Sequence, residues 1–478
     1  MNTKSFLALA LTLALVSAAR SQALDSLWAR TYGGIGDDNC YSMVQTSDGG
    51  FAMAGYTTSF GSGDADFWLV RTDENGDSLW SRTYGGESED VCKSLVQIAG
   101  GGFALAGYTR SFGAGSGDFW LVRTDENGDS LWSRRFGGSA DDRCESMIQT
   151  SDGGFAMAGA TYSFGAGSGD FWLVRTDENG DSLWSRTYGG GNIDACHSLI
   201  QTADEGFALA GYTQSFGVGG LDFWLVQTNS DGDSLWSRTI GGRNTDVCQS
   251  LIQTADEGFA LAGYTGFYAH FWLVRTNPQG DSLWSRTFAR GNEDECYSLT
   301  HTSDGGFAMA GYTYNSEPEV THFWLVRTNA EGDCVWSRTF DGNECRFLIE
   351  TTDSGFALAG CSWSLDTGSY DFYLVKTGPE NSVPDDEATA PLHFGLDAVY
   401  PNPFNSMTTI RCELPERALV KLSAYDVKGR LVEDLFAGTL DAGRHSINWS
   451  PSGLSSGLYL IRMEAGGTVR MARGVMVR

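Results

Sequence analysis

Residues 67–82 read Phe-Trp-Leu-Val-Arg-Thr-Asp-Glu-Asn-Gly-Asp-Ser-Leu-Trp-Ser-Arg, and the same sixteen letters return at 119–134 and 171–186. The first part, Phe67-Trp68-Leu69-Val70, is apolar on consecutive residues, as a strand covered on both faces must be. Asp73-Glu74-Asn75-Gly76-Asp77 carries the Asn-Gly signal of a tight hairpin, so the run ending in Trp80 is the returning strand. Outward from this stretch the pattern repeats. Trp recurs at 28, 80, 132, 184, 236, 284 and 336, Cys at 40, 92, 144, 196, 248, 296 and 345, and the Phe of Gly-Phe-Ala-(Leu/Met)-Ala-Gly at 51, 103, 155, 207, 259, 307 and 356. Seven copies of a unit of about 50 residues define a repeat architecture.

Each unit holds four strand-like runs, A to D. In the second unit A is Cys92 to Gln97, B Gly102 to Thr109, C Phe119 to Thr124 and D Ser130 to Phe136. No segment has sustained helical periodicity, so the expected fold is all-β, a seven-bladed β-propeller of four-stranded blades. Because the C–D hairpin puts each Trp strand last in its blade, the strand around Trp28 is spare at one end. Phe372 to Thr377 lacks a D strand at the other. The N-terminal strand is therefore expected to complete the last blade and remove a free edge. These repeats resemble bacterial surface β-propeller repeats of the Trp…Thr-Tyr-Gly-Gly…Gly-Tyr-Thr…Asp-Phe…Val-Arg-Thr…Asn-Gly-Asp kind over roughly 24–378, which implies the fold and export.

Composition agrees. The 478 residues carry 60 acidic and 32 basic side chains, a net charge of −28, with 41% hydrophobic and 13% aromatic residues. That is enough apolar material for a core, which excludes a disordered acidic chain. The charge excludes nucleic acid as a partner, since phosphate binding needs a basic footprint. Lys4, the apolar run Phe6 to Val16 and small residues up to Ala23 read as a signal peptide, 1–23, cleaved after Ala23. The run is too short to span a bilayer, and the mature chain has no later candidate.

Beyond a linker at 379–391, rich in Pro, Ser and acids, the repeat stops. Residues 392–478 alternate as a small antiparallel β-sandwich would. Tyr400-Pro401-Asn402-Pro403-Phe404-Asn405, then Tyr425-Asp426-Val427-Lys428-Gly429-Arg430, Trp449 and Gly457-Leu458-Tyr459 resemble the type IX secretion C-terminal sorting domain and the FlgD-type immunoglobulin-like domains. The resemblance implies an Ig-like fold, engagement of the secretion machinery and attachment to the cell surface. The chain ends in Arg478 where that family usually ends in lysines. Nearly all the acidity lies outside this tail, which has ten basic and eight acidic residues.

Strand order puts the B–C and D–A loops on one face, the expected binding face. One Asp series there precedes the Cys by two: Asp38, Asp90, Asp142, Asp194, Asp246 and Asp294, with Asn343 in the seventh unit. A second precedes the Phe of strand C: Asp66, Asp118, Asp170, Asp222 and Asp371, replaced by His270 and His322. Carboxylates suit a hard cation such as Ca²⁺, which needs six to eight converging oxygens. Repetition in every unit favours a structural role instead, each Asp capping backbone amides at a strand start. No cofactor is evident. The series cysteines are expected to be buried fillers; Cys334–Cys361 is the one pair worth testing for a disulfide.

Units one to four read as near copies, so symmetry is expected to break only in units five to seven, around Phe267, Tyr268, His270, Asn315, Glu317, His322 and Trp363. Exposed rings beside acids there would suit sugar stacking. No nucleophile, zinc or phosphate motif occurs. The expected function is a secreted, surface-attached, non-enzymatic binding or scaffold protein. A lectin-like or carbohydrate-active propeller comes second and a metal-dependent hydrolase last; the extracellular glycan or protein ligand is unnamed.

Overall fold

The computed structural model describes residues 26–316, 319–379, 395–400, 408–414, 417–440, 443–449, 451, 454 and 456–476. The signal segment 1–23, residues 380–391 of the linker, Glu317 and the Pro401–Asn405 part of the sorting motif lie outside the described residues. The chain forms two compact units, Met1–Pro384 and Asp385–Arg478.

After β1 (Ser26–Tyr32) the first unit is a run of antiparallel four-stranded sheets. They are β2 (Asp38–Gln45), β3 (Phe51–Thr57), β4 (Asp66–Thr72) and β5 (Ser78–Tyr84), then β6 (Asp90–Gln97), β7 (Phe103–Thr109), β8 (Asp118–Thr124) and β9 (Ser130–Phe136). Next come β10 (Asp142–Gln149), β11 (Phe155–Thr161), β12 (Asp170–Thr176) and β13 (Ser182–Tyr188), then β14 (Asp194–Gln201), β15 (Phe207–Thr213), β16 (Asp222–Thr228) and β17 (Ser234–Ile240). They are followed by β18 (Asp246–Gln253), β19 (Phe259–Thr265), β20 (His270–Thr276) and β21 (Ser282–Phe288), then β22 (Glu293–His301), β23 (Phe307–Ser316), β24 (Glu319–Thr328) and β25 (Cys334–Phe340). The last repeat contributes β26 (Glu344–Glu350), β27 (Phe356–Ser364) and β28 (Ser369–Thr377), and β1 completes its sheet in the order β1-β28-β27-β26. Four-stranded sheets repeated this way are the blades of a β-propeller, and no helix occurs among the described residues.

The recurring letters now have physical reasons. Strand C is buried over most of its length in each blade; β4 and β12 have no exposed residue. Gly76 turns the C–D hairpin at φ +77°, a conformation that suits glycine. The same hairpin receives the last strand of the preceding blade. A Cβ on Gly128 would sit 2.7 Å from the Trp80 ring, the Tyr84 hydroxyl donates to Gly128 O at 2.5 Å, and Arg82 Nε lies 3.3 Å from Asp129 Oδ1. Trp28, Tyr32 and Arg30 make the equivalent contacts with Gly76 and Asp77 of the first repeat. β1 thus acts as the fourth strand of the last blade, and the last sheet and the first share a core in which Trp68 and Phe372 pack at 4.6 Å.

The second unit has two sheets over one core. β29 (Gly395–Tyr400), β30 (Thr408–Leu414) and β33 (Gly443–Trp449) form one, and β32 (Leu431–Leu440), β31 (Ala418–Asp426), β34 (Gly457–Ala465) and β35 (Thr468–Met476) the other. Ile410, Leu414, Leu422, Trp449 and Ile461 meet in that core.

Candidate functional site

The described rim residues singled out in the sequence lie on the fifth, sixth and seventh repeats. Phe267 is 91% exposed, its ring 5.3 Å from Tyr268. Trp363 forms a separate pair with Tyr370 at 5.0 Å. The segments expected as loops around Asn315 and Trp363 are strand instead: β23–β24 and β27–β28 are lengthened hairpins, with Asn315 paired to Val320 and His322 to Thr313. Cys334 and Cys361 cannot bridge, because one opens β25 beside Thr328 and the other lies at the far end of β27, beside Phe372. The seven series cysteines are buried.

The two Asp series, placed on the loop face by strand order and expected to cap backbone amides, are buried and face each other across blade junctions. A Cβ on Gly85 would lie 1.7 Å from Asp66 Oδ1 and 2.7 Å from Asp90 Oδ2. Equivalent pairs are Asp118–Asp142 at Gly137, Asp170–Asp194 at Gly189, Asp222–Asp246 at Gly241 and Asp371–Asp38 at Gly33. In each pair the second Asp accepts a backbone N–H, as from Gly86 to Asp90 at 2.8 Å and from Gly34 to Asp38 at 2.9 Å. Among the described residues, Oδ1 of Asp38, Asp66, Asp170 and Asp371 is buried without a hydrogen-bond partner. Burial pushes the carboxyls of Asp38, Asp66, Asp170, Asp222 and Asp371 above their ordinary range. Where His270 replaces the first Asp, its Nδ1 sits 3.4 Å from Asp294 Oδ2, and Ala289 stands in the glycine's place. Where His322 replaces it, Asp341 does. The glycine is required because the carboxylate occupies the space of a side chain, and it disappears only where the carboxylate does. Among the described residues no group of three or more His, Cys, Asp or Glu could hold a metal ion.

The opposite end of the blades carries Arg–Asp pairs. Arg71 of strand C donates to Asp48 in the A–B turn, and Arg175–Asp152, Arg275–Asp256, Arg327–Asp304 and Lys376–Asp353 repeat the arrangement.

Variation is not confined to units five to seven, against the expectation: the residue after each Cys also changes along the repeats. In each A strand the register slips directly after the Cys, as between Cys40 and Ser42. Such a bulge leaves one residue unpaired and re-aims its side chain. It also explains the paired glycine of strand B: a Cβ on Gly55 would meet Asn39 O at 1.8 Å. The bulged residues are Tyr41, Lys93, Glu145, His197, Gln249, Tyr297 and Arg346, one per repeat, and together they line one cavity of about 340 Å³. Below them serines tie neighbouring blades. Ser42 Oγ accepts Leu95 N–H at 3.1 Å and Ser298 Oγ accepts Leu348 N–H at 3.1 Å; at the last repeat Phe347 replaces the serine.

The lining is organised by charge. Lys93 Nζ lies 3.5 Å from Glu145 and 4.0 Å from the Tyr41 ring centre. Arg346 stacks on Tyr297 at 3.9 Å and pairs with Glu344. Burial holds the Tyr41 hydroxyl up at about 12, so it stays protonated. His197 Nδ1 is 3.0 Å from Cys248 O; a carbonyl only accepts, so Nδ1 carries the proton. Burial also lowers the His197 pKa, which leaves the ring neutral and Nε2 an acceptor. This column of variation was visible in the aligned repeats, but nothing in one repeat alone says that it faces a channel.

In the tail, Gly429 (φ +75°) turns the β31–β32 hairpin, with Arg430 Nε donating to Asp426 at 2.7 Å. Tyr459 is buried against Trp449 at 5.8 Å. Gly457 opens β34, and Tyr400 ends β29.

Fold and tail together define the class: a β-propeller secreted through a C-terminal sorting domain. Residues 398–477 match the family described as "Secretion system C-terminal sorting domain". The tail marks the chain for type IX secretion and attachment to the cell surface. No helix among the described residues is long and apolar enough to cross a membrane. Among curated proteins, no sequence matches the chain. Similar solved structures include the WD40 β-propeller domain of Doa1, at 14% identity and TM-score 0.48 over 75% of this chain and 98% of that one. PorZ, a surface component of the type IX secretion system of Porphyromonas gingivalis, is 13% identical with TM-score 0.45 over 94% of this chain and 60% of its own. A fungal alcohol oxidase of the AA5 family is 12% identical with TM-score 0.46 over 96% and 100%. The propeller assignment rests on this chain's own sheets.

Proposed function

We propose that this protein is a surface-displayed binding propeller, without a catalytic site, whose ligand enters the central channel. The observation that carries the reading is the bulged position. Repeats that keep the same strand pattern, and in three units the same sixteen letters over strand C and its hairpin, differ at the residue facing the channel, with six residue types over seven repeats. A scaffold alone has no need of that variation. The ring is seven-bladed, a count supported by seven sequence repeats, the sharing of the last sheet between β1 and β26–β28, and a cavity that every repeat lines. The domains run 24–378 for the propeller and 392–478 for the tail. An Ig-like sandwich suits the tail's two sheets over a single core.

The test is a thermal-shift screen of the full chain against soluble sugars, peptides and small acids, repeated on Gln249→Trp, which fills the channel. Ligands should shift the wild type and not the variant. A ligand that shifts both equally binds elsewhere, and the channel reading falls. A second reading, lectin-like or carbohydrate-active binding by the rim, is favoured by the exposed Phe267, Tyr268 and Trp363; its ligands would lose their shift in Tyr268→Ala or Trp363→Ala instead.

A further inference from the structure

Resting on the channel as the binding site, we infer that its ligand is an uncharged, hydroxyl-rich molecule: a sugar residue at the end of a neutral glycan, seated against the wall of the fourth and fifth repeats. The argument is one of elimination around the ring. An anion would need an uncommitted cation, but Lys93 is 3.5 Å from Glu145 and Arg346 is paired with Glu344. A cation would need an open aromatic face, yet Lys93 covers the Tyr41 ring at 4.0 Å and Arg346 covers Tyr297 at 3.9 Å. That half of the lining has its charges satisfied internally, and the whole chain's net charge of −28 disfavours an acidic polymer.

Hydrogen-bonding capacity is left on the other half. The Gln249 amide lines the cavity and its side chain makes no hydrogen bond among the described residues. His197 spends Nδ1 on Cys248 O, so Nε2 remains as an acceptor. These groups are neutral and offer both donors and acceptors, which is the pattern a sugar hydroxyl complements. A cavity of about 340 Å³ holds a small ligand, not a long chain lying flat.

The experiment uses the purified full chain on a printed array of neutral and acidic oligosaccharides, with calorimetric titration of the strongest binder. Neutral glycans should dominate. Gln249→Ala should weaken binding about tenfold, as expected for one lost hydrogen bond, while the melting temperature stays unchanged. Binding should be insensitive to salt. If acidic glycans bind best, with an affinity that falls in salt and on Lys93→Ala, the channel stands as the site and the inferred ligand class is wrong. If no glycan binds while the channel-filling variant still loses a non-sugar ligand, the class is likewise overturned. Glycan binding lost on Trp363→Ala but untouched by Gln249→Ala overturns the channel itself.

Discussion

The blade junctions and the channel wall are built from the same repeats under opposite rules. At the junctions each copy carries the same Asp, Gly and Ser, and where one changes its neighbour changes with it, as His270 and Ala289 do. On the channel wall the residue after each Cys changes from repeat to repeat without disturbing the ladder, because the bulge has already freed it from pairing. Repetition here marks what holds the ring together, and variation marks what it presents.

Stability measurements can break this contrast. The largest effect is expected from Gly137→Ala, whose Cβ would fall 1.9 Å from Asp118 Oδ1. It should cost about 2–3 kcal/mol in denaturant unfolding. Adding Asp118→His, the exchange present at the Ala289 junction, should recover about 1 kcal/mol; strict additivity would show that the two positions are not coupled.

Next comes the titration of the facing carboxylates. Asp66 is raised by burial, so its contribution is complete below the ordinary carboxylate range and is lost as pH rises through its folded value. Asp66→Asn supplies a permanent N–H donor toward Asp90. It should raise stability by about 1 kcal/mol at pH 8 and do nothing of the kind at pH 4; equal effects at both would remove the junction's pH dependence. At the other end of the blade the sign reverses. Hydrogen bonds from Arg71 hold Asp48 down at about 2, so its contribution is complete above the ordinary range and fades as pH falls toward that value. Asp48 is largely exposed, so Asp48→Asn should cost only about 0.5 kcal/mol at pH 7, vanishing near pH 2. Smallest of all, Lys93→Ala and Gln249→Ala should leave the unfolding midpoint within about 0.5 kcal/mol of wild type. A larger loss would place the channel residues among the structural ones.

The strands were legible in the sequence because each is a local pattern. Asn-Gly fixed the C–D hairpin, the apolar run fixed strand C, and together they left Trp28 as the spare strand that closes the ring. The sites were harder because they are made between repeats. Nothing near Asp66 in sequence announces Asp90 across a junction, and the two series, read one by one, suggested local caps rather than facing pairs. Gly85 held the clue, since the first glycine of Gly-Gly is lost only beside His270 and His322. Tyr41, Lys93, Glu145 and His197 were hidden in repeats that looked like copies, because a bulge is a feature of register and not of composition. Phe267 and Trp363 drew attention for being conspicuous, and each pairs with a tyrosine ring of its own repeat.

β1 has a consequence for the order in which the molecule can be completed. Ser26 and Thr377 are partners in one ladder, so the first strand made waits for the last strand of the propeller. Until β28 arrives, Trp28, Arg30 and Tyr32 have no sheet to belong to, and the first hairpin lacks the contacts they supply. The loop entropy of so long a wait is modest, since closure cost grows only with the logarithm of length. Its effect is on timing. The segment that seals the ring is followed directly by the linker and the sorting domain, so a chain that displays its export tag already has every strand needed to close.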